Sequence, residues 1–205
     1  MKITLLTAAA IAAFPITAGA DYLYFSDFEA DDGGWVATAT WDPVGDWEWT
    51  NTYDGSQYNG VGAAPPNAYS GTGLWGTVLY GDYTNSGGET FLSQTFDFTG
   101  WSGTTLSWYN WTNAFYDWDT AKVYVNGAMV WDYGWYNSAP TWEYVSVDLF
   151  DYDGMSDVEI VFELHASTVV EKAGWYIDDV AITGVPAPGA LALLGMAGLI
   201  GRRRR

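Results

Sequence analysis

The sequence predicts an all-β body, a β-sandwich of two antiparallel sheets, set between two short apolar segments that lie outside it. Two observations predict the sheets. Apolar side chains recur at every second position over short runs, the period of a strand with one face buried. Gly, Asn, Asp and Thr punctuate the chain throughout, and no run keeps helical spacing. A third observation sets the ends apart. The 205 residues hold 25 acidic side chains and 7 basic ones, and four of the basic residues are the last four of the chain.

The first segment, "MKITLLTAAAIAAFPITAGA", combines Lys2, an apolar stretch from Ile3 to Ile16, and the small residues Ala18, Gly19 and Ala20. This is the layout of a secretory signal peptide over residues 1–20, with cleavage expected between Ala20 and Asp21.

Residues 21–184 then form one domain of ordinary size. In "DVEIVFELH" Val158, Ile160, Phe162 and Leu164 share one face, and Glu159, Val161, Glu163 and His165 the other. "FLSQTFDF" places Leu92, Phe96 and Phe98 together, with Gln94 the exception, and "EYVSVDL" aligns Val145, Val147 and Leu149. "KVYVNGAMVW" reads as a hairpin turning at Asn126-Gly127, pairing Val125 with Ala128 and Val123 with Val130. The body holds all 25 acids against Lys122 and Lys172, a formal charge of −23. Such a surface repels nucleic acid and anionic lipid. Without cysteine it has neither disulfides nor thiolate metal sites.

The last segment, residues 185–205, reads "VPAPGALALLGMAGLIGRRRR". Gly189 to Gly201 are 13 uncharged residues, about 20 Å of helix, against a hydrocarbon core of about 30 Å. Arg202, Arg203, Arg204 and Arg205 can snorkel to headgroups and extend that reach. The positive-inside rule leaves them in the cytoplasm and the body outside, the orientation that the signal peptide also demands.

The tail resembles the PEP-CTERM sorting signal of Gram-negative and related bacteria: Val185, Pro186 and Pro188, a Gly/Ala/Leu helix, then an arginine cluster. The family's central Glu is Ala187 here, a variant form. The resemblance implies an exosortase-type sorting protease as partner, with a cut near Val185-Pro186, transient anchoring in the inner membrane, and delivery to the cell surface or extracellular matrix.

The body resembles the exported jelly-roll modules that include MAM-like and cleaved-adhesin domains, and more distantly jelly-roll carbohydrate-binding modules. "YFSDFEADDGGW", "WEWTNTYDG", "NAYSGTGLWGTVLYGDYTN", "FLSQTFDFTGWSGTTLSWYNW" and "AGWYIDDVAITG" follow in that group's order. The resemblance implies a jelly roll in which the first and last strands lie together. Acids from both can then hold a structural calcium ion, here Asp27, Glu29, Asp178 and Asp179, since calcium takes carboxylate oxygens. "FDYDGMSD" (Asp151, Asp153, Asp157) lacks the spacing of a calcium loop and reads as a turn.

Aromatic residues are the second constellation. Not all 13 tryptophans fit inside so small a domain. Trp108 and Trp175, in strand-like runs, are assigned to the core. Trp118, Trp131, Tyr133, Trp135, Tyr136 and Trp142 lie in loop-rich sequence as candidates for stacking on sugar rings. Catalysis has little to rest on: one histidine, His165, no cysteine, and no serine nucleophile motif. Paired carboxylates could hydrolyse a glycoside, but an acid-rich chain offers many accidental pairs. The expectation is an exported, non-catalytic module that binds extracellular polysaccharide. The alternatives are an adhesive envelope protein that contacts protein and, more distantly, a carboxylate-based glycoside hydrolase.

Overall fold

The computed structural model describes residues 19–40, 46–85, 87–115, 118–133 and 139–187. In chain order the strands are β1 (Asp21–Ser26), β2 (Val36–Ala39), β3 (Trp47–Thr50), β4 (Leu74–Thr77), β5 (Gly88–Phe96), β6 (Trp101–Asn113), β7 (Thr120–Val125), β8 (Ala128–Tyr133), β9 (Glu143–Asp148), β10 (Val158–Ala166) and β11 (Gly174–Pro186). They make a jelly-roll β-sandwich of two antiparallel sheets. One sheet runs β3-β4-β11-β6-β9, with β1 also paired to β11, and the other runs β2-β5-β10-β7-β8. Every pairing is antiparallel, so each strand can bury one face and leave the other to solvent or loops.

The alternation decides what fills the interior. Val158, Ile160, Phe162 and Leu164 of β10 are fully buried, opposite Leu106, Trp108, Trp175, Ile177 and Ile182 from the other sheet. Phe162 meets Trp108 and Trp175 edge-on, with ring centroids 5.3 and 5.5 Å away. Such tilted aromatic contacts add about 0.5–1.5 kcal/mol beyond area burial. Indole N–H groups need partners when buried. Here Trp175 Nε1 and Trp108 Nε1 both donate to the buried Asn110 Oδ1.

Three details differ from the sequence reading. The hairpin turns at Asn126-Gly127 as expected and Val125 faces Ala128, but Val123 faces Trp131 rather than Val130, because a bulge follows Val123. That bulge turns Trp131 into the sandwich, where it stacks on Trp175 at 5.7 Å and meets Trp108 at 5.2 Å. Trp131 and Tyr133, placed by the sequence in a binding loop, are therefore inward residues of β8 packed on the core. The last strand also outruns the expected boundary at residue 184: Val185 and Pro186 pair with Ser102 and Trp101, and Ala187 N donates to Gly100 O at 2.6 Å.

Candidate binding face

The outer face of the six-stranded sheet has a covered half and an open half. In the covered half Trp111 and Tyr176 point away from the sandwich and form a second small core with Tyr53, Leu74, Leu79 and Ala173. The segment from 52 to 73 roofs this cluster. Tyr53 Oη donates to Pro65 O (2.8 Å), Trp111 Nε1 to Ala63 O (2.8 Å), and Asn113 Oδ1 accepts from Ala63 N (2.8 Å).

The rim of that roof is held by acids that follow β1 and by acids at the bulge within β11. Asp178 is fully buried and accepts from Ser70 N (2.9 Å) and Asp179 N (2.7 Å). Asp179 accepts from Ser70 Oγ (2.9 Å), and Glu29 from Thr72 N (2.7 Å) and Gly73 N. Asp27 accepts from Glu29 N at 3.3 Å. Asp179 sits at φ +49°, a left-handed conformation inside the β11 bulge, and Phe28 at φ +57°. Burial, with Asp179 beside it, pushes the Asp178 carboxyl up to about 7. Burial and the charges of Asp27 and Glu29 raise that of Asp179, against the hydrogen bond from Ser70.

The four acids named for calcium thus do come together at one corner. Each carboxylate there accepts from the chain: Asp178, Asp179 and Glu29 from the 70–73 loop, and Asp27 from Glu29 N. Among the described residues no group of three or more His, Cys, Asp or Glu side chains is placed to hold a metal ion.

In the open half the alternation brings a row of aromatic rings to the surface. Tyr109 of β6 faces Tyr144 of β9 across the ladder, with centroids 5.4 Å apart, and Tyr69 of the roof stacks on Tyr109. The Tyr69 hydroxyl, first, and then desolvation push the Tyr109 phenol up to about 12. On the other side stand Tyr22 and Phe25 of β1, their rings 5.5 Å apart. Three residues apart, they would point to opposite faces of a regular strand. A bulge at Leu23 places them on one face: Tyr22 faces Thr183, Tyr24 faces Ile182 and Phe25 faces Ala181. Between the two pairs of rings lie Thr105, Ser107 and Thr183, lining a shallow cavity of about 300 Å³ with Asp179 at its end. Tyr22 and Tyr144 are each 62% exposed and Phe25 51%, so the rings form a continuous platform rather than scattered surface residues. A ligand with an apolar ring face and a hydroxyl edge matches this surface.

Of the aromatics named from sequence, Trp142 closes the platform's end. It meets Tyr69 edge-on at 6.3 Å and donates from Nε1 to Asn67 O at 3.1 Å. Trp118 is exposed in the β6–β7 loop but does not line the cavity, and Trp135 and Tyr136 lie outside the described residues. Sequence reasoning missed Tyr22, Phe25, Tyr69, Tyr109 and Tyr144. Tyr109 and Tyr144 were within reach, since each occupies the face opposite Trp108 or Val145. His165 lies on the outer face of the other sheet, with Nδ1 3.2 Å from Glu89 Oε1. Asp153, in the predicted turn, accepts from Gly103 N (2.6 Å) and Thr104 N (3.0 Å) and so pins the start of β6.

For the sorting residues, Ala20 is exposed, and Asp21 opens β1 opposite Gly184. Pro188 and Arg202 to Arg205 lie outside the described residues, as do residues 1–18 of the expected signal peptide. Among the described residues no helix is long and apolar enough to cross a membrane.

No family model matches the chain. Over 173 residues it is 34% identical to Bacillopeptidase F of Bacillus subtilis (strain 168), an alignment that takes in 82% of this chain and only 11% of that protein's length. Among solved structures it is similar to the K1 cleaved adhesin domain of Lys-gingipain from Porphyromonas gingivalis W83, at 15% identity and a TM-score of 0.49, over 77% of this chain and 95% of that one. It is also similar to TmCBM61 in complex with β-1,4-galactotriose, at 12% identity and a TM-score of 0.47, over 73% of this chain and 87% of that one. Both scores lie below 0.5, and the architecture stands on the strand pairings themselves.

Proposed function

We propose that the chain is an exported, non-catalytic module that binds polysaccharide through the tyrosine platform of the six-stranded sheet. The observation that carries this reading is the pairing of Tyr22 and Phe25 with Tyr69, Tyr109 and Tyr144 across a floor of Ser and Thr hydroxyls. Sugar rings stack their C–H faces on such rings while hydroxyls bond around the edge. Similarity to a small part of a longer peptidase fits an accessory module. Pull-down of the folded body on a panel of neutral polysaccharides tests the reading. Retention that falls about tenfold in both Tyr22→Ala and Tyr144→Ala supports it. Retention of envelope proteins but of no glycan favours the adhesive alternative, and glycoside hydrolysis abolished by a single Asp or Glu substitution favours the hydrolase.

Sorting through the tail belongs to the same proposal, supported by the Val185-Pro186-Ala187-Pro188 motif and the arginine cluster. Since Val185 and Pro186 are paired with β6, a cut there requires the end of β11 to peel away. Intact mass of the native protein ending before Gly189 supports exosortase-type processing, whereas a retained Arg205 contradicts it. Calcium at the Asp27–Asp179 corner completes the proposal. Carboxylates crowd there, and each has lone pairs beyond the N–H bonds that it accepts. A melting temperature that rises with calcium and falls with chelator supports the ion, because a ligand of the folded state alone stabilises it. An unchanged melting curve removes it.

A further inference from the structure

The five-stranded sheet has an outer face of a different character. A cavity of about 360 Å³ crosses its middle, floored by Phe91, Val161 and Tyr124 and edged by Thr38 and Ser93. Val161 faces Ser93 on one side and Tyr124 on the other, and Phe91 faces Glu163, so these side chains form adjoining rows on one surface. Glu159 and Glu163 stand at the two ends of the cavity, four residues apart on β10, or about 13 Å at the rise of a strand. Neither is in an ion pair, although Lys122 faces Glu163 across the ladder: among the described residues the only ion pair is His165–Glu89. Glu163 accepts a long hydrogen bond from Tyr124 Oη, at 3.4 Å. Burial, with Glu89 nearby, raises its carboxyl above the usual range despite Lys122, so a cation arriving there would favour its ionised form.

We infer that this groove is a second binding site, for a glycan whose sugars carry free amines. An ammonium meets Glu159 or Glu163 while the ring lies over Tyr124 and Phe91, with Thr38 and Ser93 left for hydroxyls. Charge complementarity selects a cationic ligand, since a body of −23 with unpaired glutamates at this groove turns away uronic or sulfated chains. The Tyr124 and Phe91 rings that line the groove suit a stacked sugar ring, and the position in the sheet excludes a basic peptide bound as an added strand. β10 is paired on both sides, to β5 and β7, so the groove offers no free backbone edge for an added strand. The site lies on the opposite face of the sandwich from the tyrosine platform and does not depend on it.

Titration calorimetry of the folded body against a β-1,4-linked glucosamine tetramer, its fully N-acetylated counterpart and tetralysine tests the inference. The glucosamine tetramer is expected to bind at least tenfold more tightly than either of the others. Its affinity is expected to fall about tenfold in both Glu159→Gln and Glu163→Gln, with unchanged melting curves, and to be unaffected by Tyr144→Ala. Equal binding of tetralysine would show unspecific attraction to an acidic protein. Equal binding of the acetylated tetramer would show that the amine is not read. Either result, loss of binding in Tyr144→Ala, insensitivity to the glutamate changes, or no binding at all overturns the proposal.

Discussion

The covered and open halves of the six-stranded sheet use the same strands and the same alternation, and they end up with opposite roles. On β6, Trp111 and Tyr109 are two residues apart on one face, yet Trp111 is buried beneath the 52–73 segment and Tyr109 borders an open cavity. On β11, Tyr176 is buried on that face and Thr183 lines the platform. What separates the halves is where the roof stops, and the clamp of Glu29, Asp178 and Asp179 on Ser70 to Gly73 sets that line. The open surface here is defined by what fails to cover it.

The comparison breaks most severely at the ring under the roof. Trp111→Ala is expected to cost about 3–5 kcal/mol, as aromatic truncations in cores do. At this size that is a fall of roughly 10 °C in melting temperature, readable by calorimetry. Glu29→Gln leaves the core intact but weakens the clamp. A loss of about 1–3 kcal/mol is expected, with faster hydrogen exchange at the amides of Thr72 and Gly73. Tyr144→Ala, in the open half, is expected to change stability by less than about 0.5 kcal/mol in urea unfolding, while lowering polysaccharide affinity about tenfold. A large stability loss there would show that the platform is structural.

The smallest effect sharpens the comparison at the far end of the same sheet, where Asp153 clamps Gly103 and Thr104. Burial opposes its ionisation, but the hydrogen bonds from Thr104 and Gly103 outweigh it and hold the carboxyl below the ordinary aspartate range. The folded protein therefore holds this proton less readily than the unfolded chain. The stabilisation is complete above the ordinary aspartate range and is lost as pH falls through the depressed value. Asp153→Asn is expected to flatten stability against pH in that acid window and to leave neutral-pH ligand binding unchanged.

Much of the sandwich was legible in the sequence, because one-sided burial writes itself as alternation. β10 reads residue for residue as expected, and the turn at Asn126-Gly127 falls where its sequence demands. Bulges were not legible. An extra residue at Leu23 unites Tyr22 with Phe25, and another after Val123 swings Trp131 inward, and neither leaves a mark in hydropathy. The four acids singled out near β1 and in β11 do lie near one another, since β1 and β11 pair. Their work on the 70–73 loop was hidden, because it depends on backbone N–H groups that any sequence possesses. The tryptophans misled through their number: most of those described are needed to fill a wide interior, and the surface row is built largely of tyrosine, whose hydroxyl can stay in water.

Asp21 sits directly across the ladder from Gly184, so the start of β1 and the last residues of β11 share one corner. Whatever holds this module, at either end or both, grips it at a single point, and Tyr22 is the next side chain along. A force applied at that corner would therefore enter the fold through a few residues of β1 and β11, whose ladder hydrogen bonds meet it before the tryptophan interior does.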